Sequence, residues 1–470
     1  MKKWCVNKYV FFLLFGVFVL LMGCTDSEQN GNVDVNNAEN NAENNAENNE
    51  NENNNGNEGG ENGENSDGKE EPEPVTLLMV THWDDGQFEA NFKSHLENKY
   101  PHITLEHVQS RHDELEENVF AKNLKPDLMM TSVSDYLLEI DLLLDLNPLI
   151  EEHNFDLDRI DPSILDYLEE MSNDGELNGL PLIRPEYALV YNPEIFDLFG
   201  VQYPTDDMTW DEVIDLASEV TGERNGVSYR GLHSGGYHHM MRQLEGGLSV
   251  DPETHEPIID ENEEYKIHLE RLEKIINIPG NGFDSAEEWK DTRGVDLLRE
   301  EELAMAADRA YAGAYADKAA ETGMDFDFVT YPSWGEGYPD YGPNEPGNGL
   351  VITTLTEHPD EAFRAVEYFL SDEYQSWQAG QGNLPALTSE EVRGNFMKDH
   401  EHYDLLEDKN LEAITNVEAA PMPIRSPYEN EILEGTNFRE GLINGEDINT
   451  IIRKMQDQAE GNAKNVLGKQ

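Results

Sequence analysis

Side chains that could hold a ligand rich in hydroxyl groups follow an apolar segment at 75–80. Trp83, Asp84 and Asp85 come shortly after this run. A tryptophan ring stacks on the apolar face of a pyranose, and carboxylates accept paired hydrogen bonds from neighbouring hydroxyl groups. The alternative is a core tryptophan followed by two acids that cap a helix. We predict that these three residues contact a ligand.

A second candidate group follows the apolar run 126–130. Thr131, Ser132 and Asp135 offer two hydroxyl groups and a carboxylate within five positions. They could bond the same ligand if the two runs are neighbouring strands. Asp135 could equally be only a helix cap, because a short acidic side chain is favoured at that position.

A third candidate group lies in the glycine-rich segment 231–238, where we single out His233, Tyr237 and His238. The run His238-His239-Met240-Met241 could suggest a copper or zinc site. Adjacent histidines on a helix point apart, however, and no further ligand set is evident in the sequence. We therefore predict neither a metal nor a cofactor.

The elements that must position these side chains alternate between strands and helices. Segments 75–80, 103–108 and 126–130 have the composition of short strands, and 88–96 and 115–124 have the apolar spacing of helices. This order predicts an α/β fold with an open, mostly parallel sheet, whose ligand crevice lies at the carboxyl ends of the strands. Further predicted elements are a buried strand at 303–307 and helices at 210–220, 265–278, 359–370 and 448–465. The chain after residue 74 is too long for one core, so two lobes are expected.

The first 23 residues are typical of a secretory signal. Three lysines precede an apolar run, 10–22, that is short for a membrane-spanning helix of roughly 20 residues. The run ends in Leu21-Met22-Gly23-Cys24, which looks like a bacterial lipobox. The alternatives are an uncleaved anchor or an ordinary signal with a chance cysteine. We predict a signal peptide at 1–23 and lipidation of Cys24, including palmitate.

Residues 24–74 are rich in Asn, Glu and Gly and repeat Asn-Ala-Glu-Asn. Such a segment buries too little apolar area to offset its ordering entropy, so we predict a disordered tether that spans roughly 40 Å as a flexible coil. Cys5 and Cys24 are the two cysteines of the chain, so the folded part can form no disulfide. We predict a protein held by lipid on the extracellular face of the cell membrane.

The formal net charge is −66, from 98 acidic and 32 basic residues. The tether contains 15 of these acids, so most of the excess belongs to the rest of the chain. A body this acidic repels phosphate backbones and anionic membranes, which argues against nucleic-acid binding. Adaptation to high salt or high pH explains the acidity better than mimicry of an acidic ligand.

Motifs of common enzyme classes are missing from the sequence. It contains no Gly-x-x-x-x-Gly-Lys phosphate loop that ends in Ser or Thr, no His-Glu-x-x-His and no Gly-x-Ser-x-Gly. Carboxylates are so frequent that their number does not argue against a glycosidase, although no pair stands out as a site. A surface adhesion lipoprotein is a third possibility. We predict a protein that is not an enzyme.

Six motifs follow one another along the chain. They are Lys125-Pro126-Asp127-Leu128, the segment 144–150, Gly179-Leu180-Pro181 followed by Leu189-Val190-Tyr191-Asn192, Thr209-Trp210-Asp211-Glu212, Leu303-Ala304-Met305, and the segment 359–375 followed by Gly382-Asn383-Leu384-Pro385. Their order and spacing resemble the family 1 extracellular solute-binding proteins of ABC importers, the group that contains maltose-binding protein. The resemblance covers 75–465. Two departures, Glu300-Glu301-Glu302 where the family often has a glycine and Tyr311 where some sugar binders have a tryptophan, leave the ligand open.

The resemblance implies two α/β lobes with a cleft between them and a hinge motion that closes it. The crossovers are expected near 183–188, 328–334 and 375–378, with lobe 1 at 75–184 and 332–375 and lobe 2 at 185–331 and 376–470. It implies a monomer that delivers a small solute to an ABC permease. A mono- or oligosaccharide is the expected cargo, and a peptide or polyol is the alternative.

The resemblance also adds ligand candidates at the crossovers and cleft loops. They are Arg184, Glu186 and Tyr187 at the first crossover, Arg309 and Tyr311 after the strand at 303–307, Trp334 at the second crossover, and Arg425 and Tyr428 before a late helix. In a chain poor in basic residues, Arg184, Arg230, Arg309 and Arg425 all fall near predicted cleft loops. The guanidinium group of arginine binds carboxylates in a bidentate way, which suggests an acidic saccharide such as an oligouronide as the ligand. Pairing of these arginines with nearby acids is the favoured alternative.

Overall fold

The computed structural model describes residues 72–111, 114–131, 133, 135–172, 175–236, 238–244, 247–344 and 349–468, without the side chains of Asp135 and Glu139. The predicted signal peptide, Cys24 and nearly all of the predicted tether lie outside the described residues.

The described strands form two five-stranded sheets and one two-stranded sheet. The strands are β1 Val75–Thr81, β2 Ile103–Gln109, β3 Leu128–Thr131, β4 Leu180–Pro181, β5 Ile183–Arg184, β6 Tyr187–Tyr191, β7 Gly222–Arg224, β8 Val227–His233, β9 Leu303–Arg309, β10 Asp327–Val329, β11 Gly349–Ile352 and β12 Leu384–Pro385. The first sheet has the order β2-β1-β3-β11-β4, the second has the order β10-β6-β9-β8-β7, and β12 pairs with β5.

The α-helices lie between and around these strands. They are α1 Asp85–Phe88, α2 Ser94–Lys99, α3 Leu115–Asn118, α4 Asp135–Glu139, α5 Asn147–His153, α6 Pro162–Met171, α7 Pro193–Phe199, α8 Trp210–Glu219, α9 Glu263–Asn277, α10 Ala286–Asp291, α11 Gly294–Arg299, α12 Ala312–Thr322, α13 Pro359–Phe369, α14 Asp372–Gly380, α15 Glu390–Arg393, α16 Glu412–Thr415, α17 Glu429–Ile432, α18 Arg439–Ile443 and α19 Ile448–Leu467. A π-helical turn, Glu89–Lys93, joins α1 to α2.

Local chemistry explains where several of these helices begin. Thr209 caps α8 through a reciprocal pair of bonds with Glu212, a capping box that satisfies backbone donors left free at a helix start. Asn192 caps α7, and a proline occupies its first turn, where a missing N–H costs nothing. The capped helices α7 and α8 pack on the second sheet and hold its strand ends in place.

In the described part of the chain, buried apolar side chains form three cores. The first core surrounds the first sheet and includes Leu77, Leu128, Leu350 and Phe363. The second core includes Leu189, Trp210, Met305 and Met455, and the third includes Val190, Tyr315, Phe328 and Phe396. Alternate residues of β6 point to opposite faces of its sheet, so Leu189 enters the second core and Val190 the third.

The chain passes between the two large sheets at predicted crossover positions. It leaves the first sheet after β4, enters the second with β6, and returns from β10 to β11. The short strand β5 of the first passage pairs with β12, with Leu384 opposite Arg184. Trp334 packs in the second core, whereas Ala386 and Leu387 pack in the first. The lobe boundaries stay a prediction.

The α/β class predicted from the sequence is confirmed, with two corrections in detail. In the first sheet, β1 is parallel to β2 and β3, but β11 is antiparallel to β3 because it returns from the other sheet. The sheets are therefore mixed rather than mostly parallel. The helix expected at 115–124 is broken, since α3 ends at Asn118 and a 3₁₀ turn at Phe120–Lys122 ends in the left-handed residue Asn123.

Candidate functional site

A pocket of about 590 Å³ lies between elements of the first core and elements of the second. Tyr167 and Met171 of α6 reach it from the first core, one helical turn apart on the same helix face. Tyr265 of α9 and Phe438 line it from the second core. A volume of this size falls within the roughly 300–1,000 Å³ that small-molecule sites occupy.

The wall supplied by the second core contains a row of rings. The Tyr265 and His268 rings are 6.0 Å apart, His268 and Phe438 are 6.3 Å apart, and Phe438 and Trp289 are 5.9 Å apart, all edge to face. His268 is almost fully buried, and its Nδ1 atom lies 3.4 Å from the sulfur of Met240. Contacts with Met240 and Trp289, which lie outside the pocket wall, thus hold the rings that face the pocket in place.

The described charged residues of the pocket wall are three arginines and one glutamate. Arg425 Nη1 lies 3.1 Å from each carboxylate oxygen of Glu429, so these two charges are already matched. Arg439 lies over the Phe438 ring, with its guanidinium carbon 5.2 Å from the ring centre. Arg242, from the segment after β8, completes the set.

The residues predicted at the end of β1 form a network of their own. Asp84 caps α1 and exchanges bonds with Gln87, which is the structural alternative considered for it. Asp85 Oδ1 lies 2.8 Å from His107 Nδ1, and Trp83 packs on Phe92 with ring centres 5.3 Å apart. Their contact with a ligand stays a prediction.

Of the group after β3, only Thr131 has a described side chain. It lines a small cavity whose wall shares Val133 and Tyr167 with the large pocket. Thr131 therefore lies close to the pocket, as its position at a strand end predicts. Ser132 and the side chain of Asp135 lie outside the described residues.

Arg184 at the first crossover is buried in an ion-pair network. Its Nη1 lies 3.0 Å from Asp161 Oδ2, and its Nη2 donates to the carbonyl of Val417 at 2.8 Å. Arg393 Nη2 reaches the same Asp161 oxygen at 3.1 Å. The contacts of Arg184 are thus structural, and it is absent from the wall of the large pocket.

Tyr187, Arg309 and His238 are brought together beside the pocket. His238 lines the pocket, and its ring lies 4.7 Å from that of His239, which in turn lies 5.1 Å from the ring of Tyr187. The Arg309 guanidinium lies 5.7 Å from the Tyr187 ring. Glu186, half-buried, accepts the Ala310 N–H through its carbonyl. Tyr187 and His239 are buried, so the contacts that lead from His238 to Arg309 run inside the protein.

His233 ends β8 and is buried. Its Nδ1 accepts the N–H of Gly235, and burial, helped by the charge of Arg230, lowers the pKa of its imidazole to about 4. The neutral form therefore holds the loop that leads to His238. Tyr237 lies outside the described residues.

The remaining candidates pack in or against the second core, in the case of Trp334 and Tyr428, or the third core, in the case of Tyr311. Trp334 is buried, and its indole N–H donates to the carbonyl of Met240 at 2.8 Å. Tyr311 takes a left-handed backbone conformation, φ 43°, at the start of α12, and burial raises the pKa of its hydroxyl. The Tyr428 ring lies 5.0 Å from that of His255, and the chain neighbours of Tyr428, Pro427 and Glu429, line the pocket.

Several aromatic and basic residues of the pocket wall were not among the residues predicted from the sequence. They are Tyr167, Arg242, Tyr265, Phe438 and Arg439. The spacing of Tyr167 and Met171 on one face of α6 is a signal that could have found part of the wall. The other residues come together only through packing of distant segments.

Two properties of the described residues bear on the chemistry of the chain. No group of three His, Cys, Asp or Glu side chains there is arranged to hold a metal ion. None of the helices in the described part is long and apolar enough to cross a bilayer.

Comparison with known proteins identifies the family and the fold. Residues 84–376 match the family described as bacterial extracellular solute-binding protein. No curated protein sequence matches significantly.

Solved structures with the same fold have low sequence identity. An ABC substrate-binding protein from Listeria monocytogenes in complex with cycloalternan is 18% identical, with a TM-score of 0.64, and the match covers 84% of this chain and 100% of that one. The sugar-binding protein MalE from Xanthomonas citri is 15% identical, with a TM-score of 0.64 and coverage of 83% and 98%. A solute-binding protein from Agrobacterium vitis with bound D-mannitol is 17% identical, with a TM-score of 0.54 and coverage of 83% and 99%.

Proposed function

Because the chain belongs to the bacterial extracellular solute-binding protein family, we propose that it binds a carbohydrate outside the cell membrane and delivers it to an ABC importer. The observation that carries this proposal is the pocket of about 590 Å³ with Tyr167 on one wall and Tyr265 and Phe438 on the other. Aromatic rings suit the apolar faces of sugar rings, and the polar atoms between them suit hydroxyl groups.

Closure of the two walls over the ligand is the second part of the proposal. A ligand that contacts both walls favours the arrangement in which they are close, because it gains contacts that the open arrangement lacks. The passages β4 to β6 and β10 to β11 connect the two sheets, and the chain passes once more from the first core to the second after β11, so a hinge motion would bend the chain at these three passages. The closed form would then dock on the permease as a monomer.

The lipid anchor is the third part of the proposal and rests on the sequence. A receptor that serves a membrane importer needs to stay near it, and a lipidated Cys24 followed by a flexible tether would achieve this. Replacing Cys24 by Ala should release the protein from membranes into the medium. Retention of the Cys24→Ala protein in membranes would contradict the anchor without affecting the proposal on binding.

A ligand screen tests the central claim. Mono- and oligosaccharides are added to the purified protein, and the melting temperature and the radius of gyration from X-ray scattering are recorded at low and high salt. We expect one saccharide class to raise the melting temperature by mass action and to reduce the radius of gyration. No shift with any saccharide would contradict the carbohydrate cargo, and turnover of a bound sugar would indicate a glycosidase instead.

A further inference from the structure

A small cavity adjoins the large pocket on the side of the first core. Its volume is about 10 Å³, which is about the space that one water molecule or one methyl group fills. Val133 and Tyr167 line both the cavity and the pocket, so the two spaces meet at these residues. A short substituent on a sugar ring that stacks on Tyr167 would therefore reach the cavity.

The pairing of three strands creates this space. Gly349 of β11 is the register partner of Thr131 of β3 on one side and of Pro181 of β4 on the other, and all three residues line the cavity. Register partners in a sheet direct their side chains to the same face. Because Gly349 has no side chain, a gap is left in the middle of this row. The backbone pairing of the three strands thus fixes the position of the cavity.

Apolar side chains surround the gap. Ile164 and Leu168, one turn apart on α6, are buried, as are the apolar wall residues of the sheet. The described apolar residues of the wall are Val133, Ile164, Leu168, Leu180, Pro181 and Val351. Thr131 and Tyr167, which carry a hydroxyl group each, already interact with other groups of the protein. Such a wall stabilises a methyl group by removing its surface from water and disfavours a hydroxyl group that has to leave water.

We propose that the small cavity is a subsite for a methyl group of the cargo, and that the cargo contains a 6-deoxyhexose or an N-acetylated amino sugar. This inference rests on the proposed carbohydrate-binding function and narrows its substrate class. Both kinds of sugar project a methyl group from the ring, so the ring can stack on Tyr167 while the methyl group enters the cavity. A hydroxymethyl group at the same position is larger and buries a hydroxyl among apolar side chains.

Calorimetry with three matched pairs of sugars tests the proposal on the unaltered protein. The pairs are L-rhamnose and L-mannose, L-fucose and L-galactose, and N-acetylglucosamine and N-glycolylglucosamine. In each pair the second sugar has a hydroxymethyl group where the first has a methyl group. We expect one methyl sugar to bind roughly tenfold to a hundredfold more tightly than its partner, and that pair identifies the source of the methyl group.

Filling the cavity locates the effect. A Cβ atom added at Gly179, which also lines the cavity, would lie 3.0 Å from a methyl carbon of Val133 and 3.0 Å from one of Val351. Gly179→Ala therefore narrows the space, and we expect the affinity ratio within the pair to fall to about one or two. Gly313→Ala on α12 is the matched control, because its added Cβ would meet His400 Nε2 at the same 3.0 Å outside both walls. The control should keep the ratio of the parent protein.

A second variant changes the chemistry of the cavity rather than its size. Val133→Thr exchanges a methyl group of the shared wall for a hydroxyl group with little change in volume. The affinity ratio should again fall, because the hydroxymethyl sugar gains a hydrogen-bond partner. Circular dichroism melts verify folding, so Val133→Thr decides the location if the close contacts at Gly179 prevent the alanine variant from folding.

The outcomes separate this inference from the function on which it rests. Equal affinity within every pair would overturn the inference and leave the carbohydrate receptor intact. Binding of a saccharide without methyl groups, when all three methyl sugars fail to bind, would have the same meaning. Binding of no saccharide to the folded protein would overturn both. An affinity ratio that the folded cavity variants leave unchanged would place the methyl group elsewhere and would also overturn the inference.

Discussion

Arg184 Nη1 lies 3.0 Å from Asp161 Oδ2, and both side chains are largely buried. The pair joins β5 of the first passage between the sheets to the start of α6, the helix that carries Tyr167 into the pocket. Arg184 also donates to the carbonyl of Val417, so a single guanidinium ties together three segments. The crossover is thus anchored by charge as well as by the pairing of β5 with β12.

We expect Arg184→Gln to destabilise the protein by about 3–5 kcal/mol, because it leaves Asp161 buried with only part of its compensating charge. Urea unfolding measured by circular dichroism checks the value. Arg159→Gln is the matched control, since the Arg159–Asp372 pair joins two exposed side chains and contributes at most about 1 kcal/mol. Similar losses for the two variants would contradict a special role of the buried pair.

His233 should make stability fall as the pH is lowered. Its pKa in the folded protein is about 4, against an ordinary value of 6.5. Between these two values the unfolded chain binds a proton that the folded chain does not, so stability is fully present above pH 6.5 and is lost towards pH 4. The loss from this residue amounts to roughly 3 kcal/mol.

A comparison of variants isolates this histidine from the many carboxylates. His233→Asn keeps an acceptor for the Gly235 N–H and removes the titration. Its free energy of unfolding, measured by urea at several pH values, should depend less steeply on pH between 6.5 and 4 than that of the parent protein. Identical slopes would refute the buried neutral histidine.

Gln243 should be essential to the second core. Its Oε1 accepts the indole N–H of Trp210 at 2.8 Å, and its Nε2 donates to the carbonyls of Pro332 and Tyr341 at 2.8 and 2.7 Å. Gln243→Met leaves these buried groups without partners at a cost of about 1–3 kcal/mol for each group. We expect a loss of at least about 3 kcal/mol in thermal or urea unfolding.

The exposed glutamine Gln109 provides the control for this prediction. Its Nε2 donates to the His82 carbonyl at 3.3 Å at the surface, where water can replace the bond. Gln109→Met should change stability by less than about 0.5 kcal/mol. A small loss in Gln243→Met would mean that water satisfies the groups around it.

The sequence predicted the elements better than the site, and particular residues show why. Strand β1 and helix α8 follow from local composition and from the Thr209 capping box, which depends on positions three residues apart. Asp84 was ambiguous because an acidic side chain after a strand accepts backbone N–H groups as readily as ligand hydroxyls. Tyr167 and Arg439 meet at one pocket only through tertiary packing, which no local pattern encodes.

Tyr167 gives the sharpest test of the pocket as the binding site, since it reaches the pocket from α6 while the other rings come from the second core. Tyr167→Ala removes a half-buried ring at the surface of the first core, so we expect a small loss of stability. If the ring stacks on a sugar, affinity should fall roughly tenfold, because such contacts contribute about 0.5–1.5 kcal/mol beyond the area they bury. Tyr203→Ala, at an exposed tyrosine outside the pocket wall, should leave affinity unchanged.

Because closure requires contacts from both walls, the ligand should also reduce the radius of gyration of the Tyr167→Ala protein less than that of the parent protein at equal saturation. Unaltered affinity and compaction in Tyr167→Ala would place the ligand elsewhere in the protein.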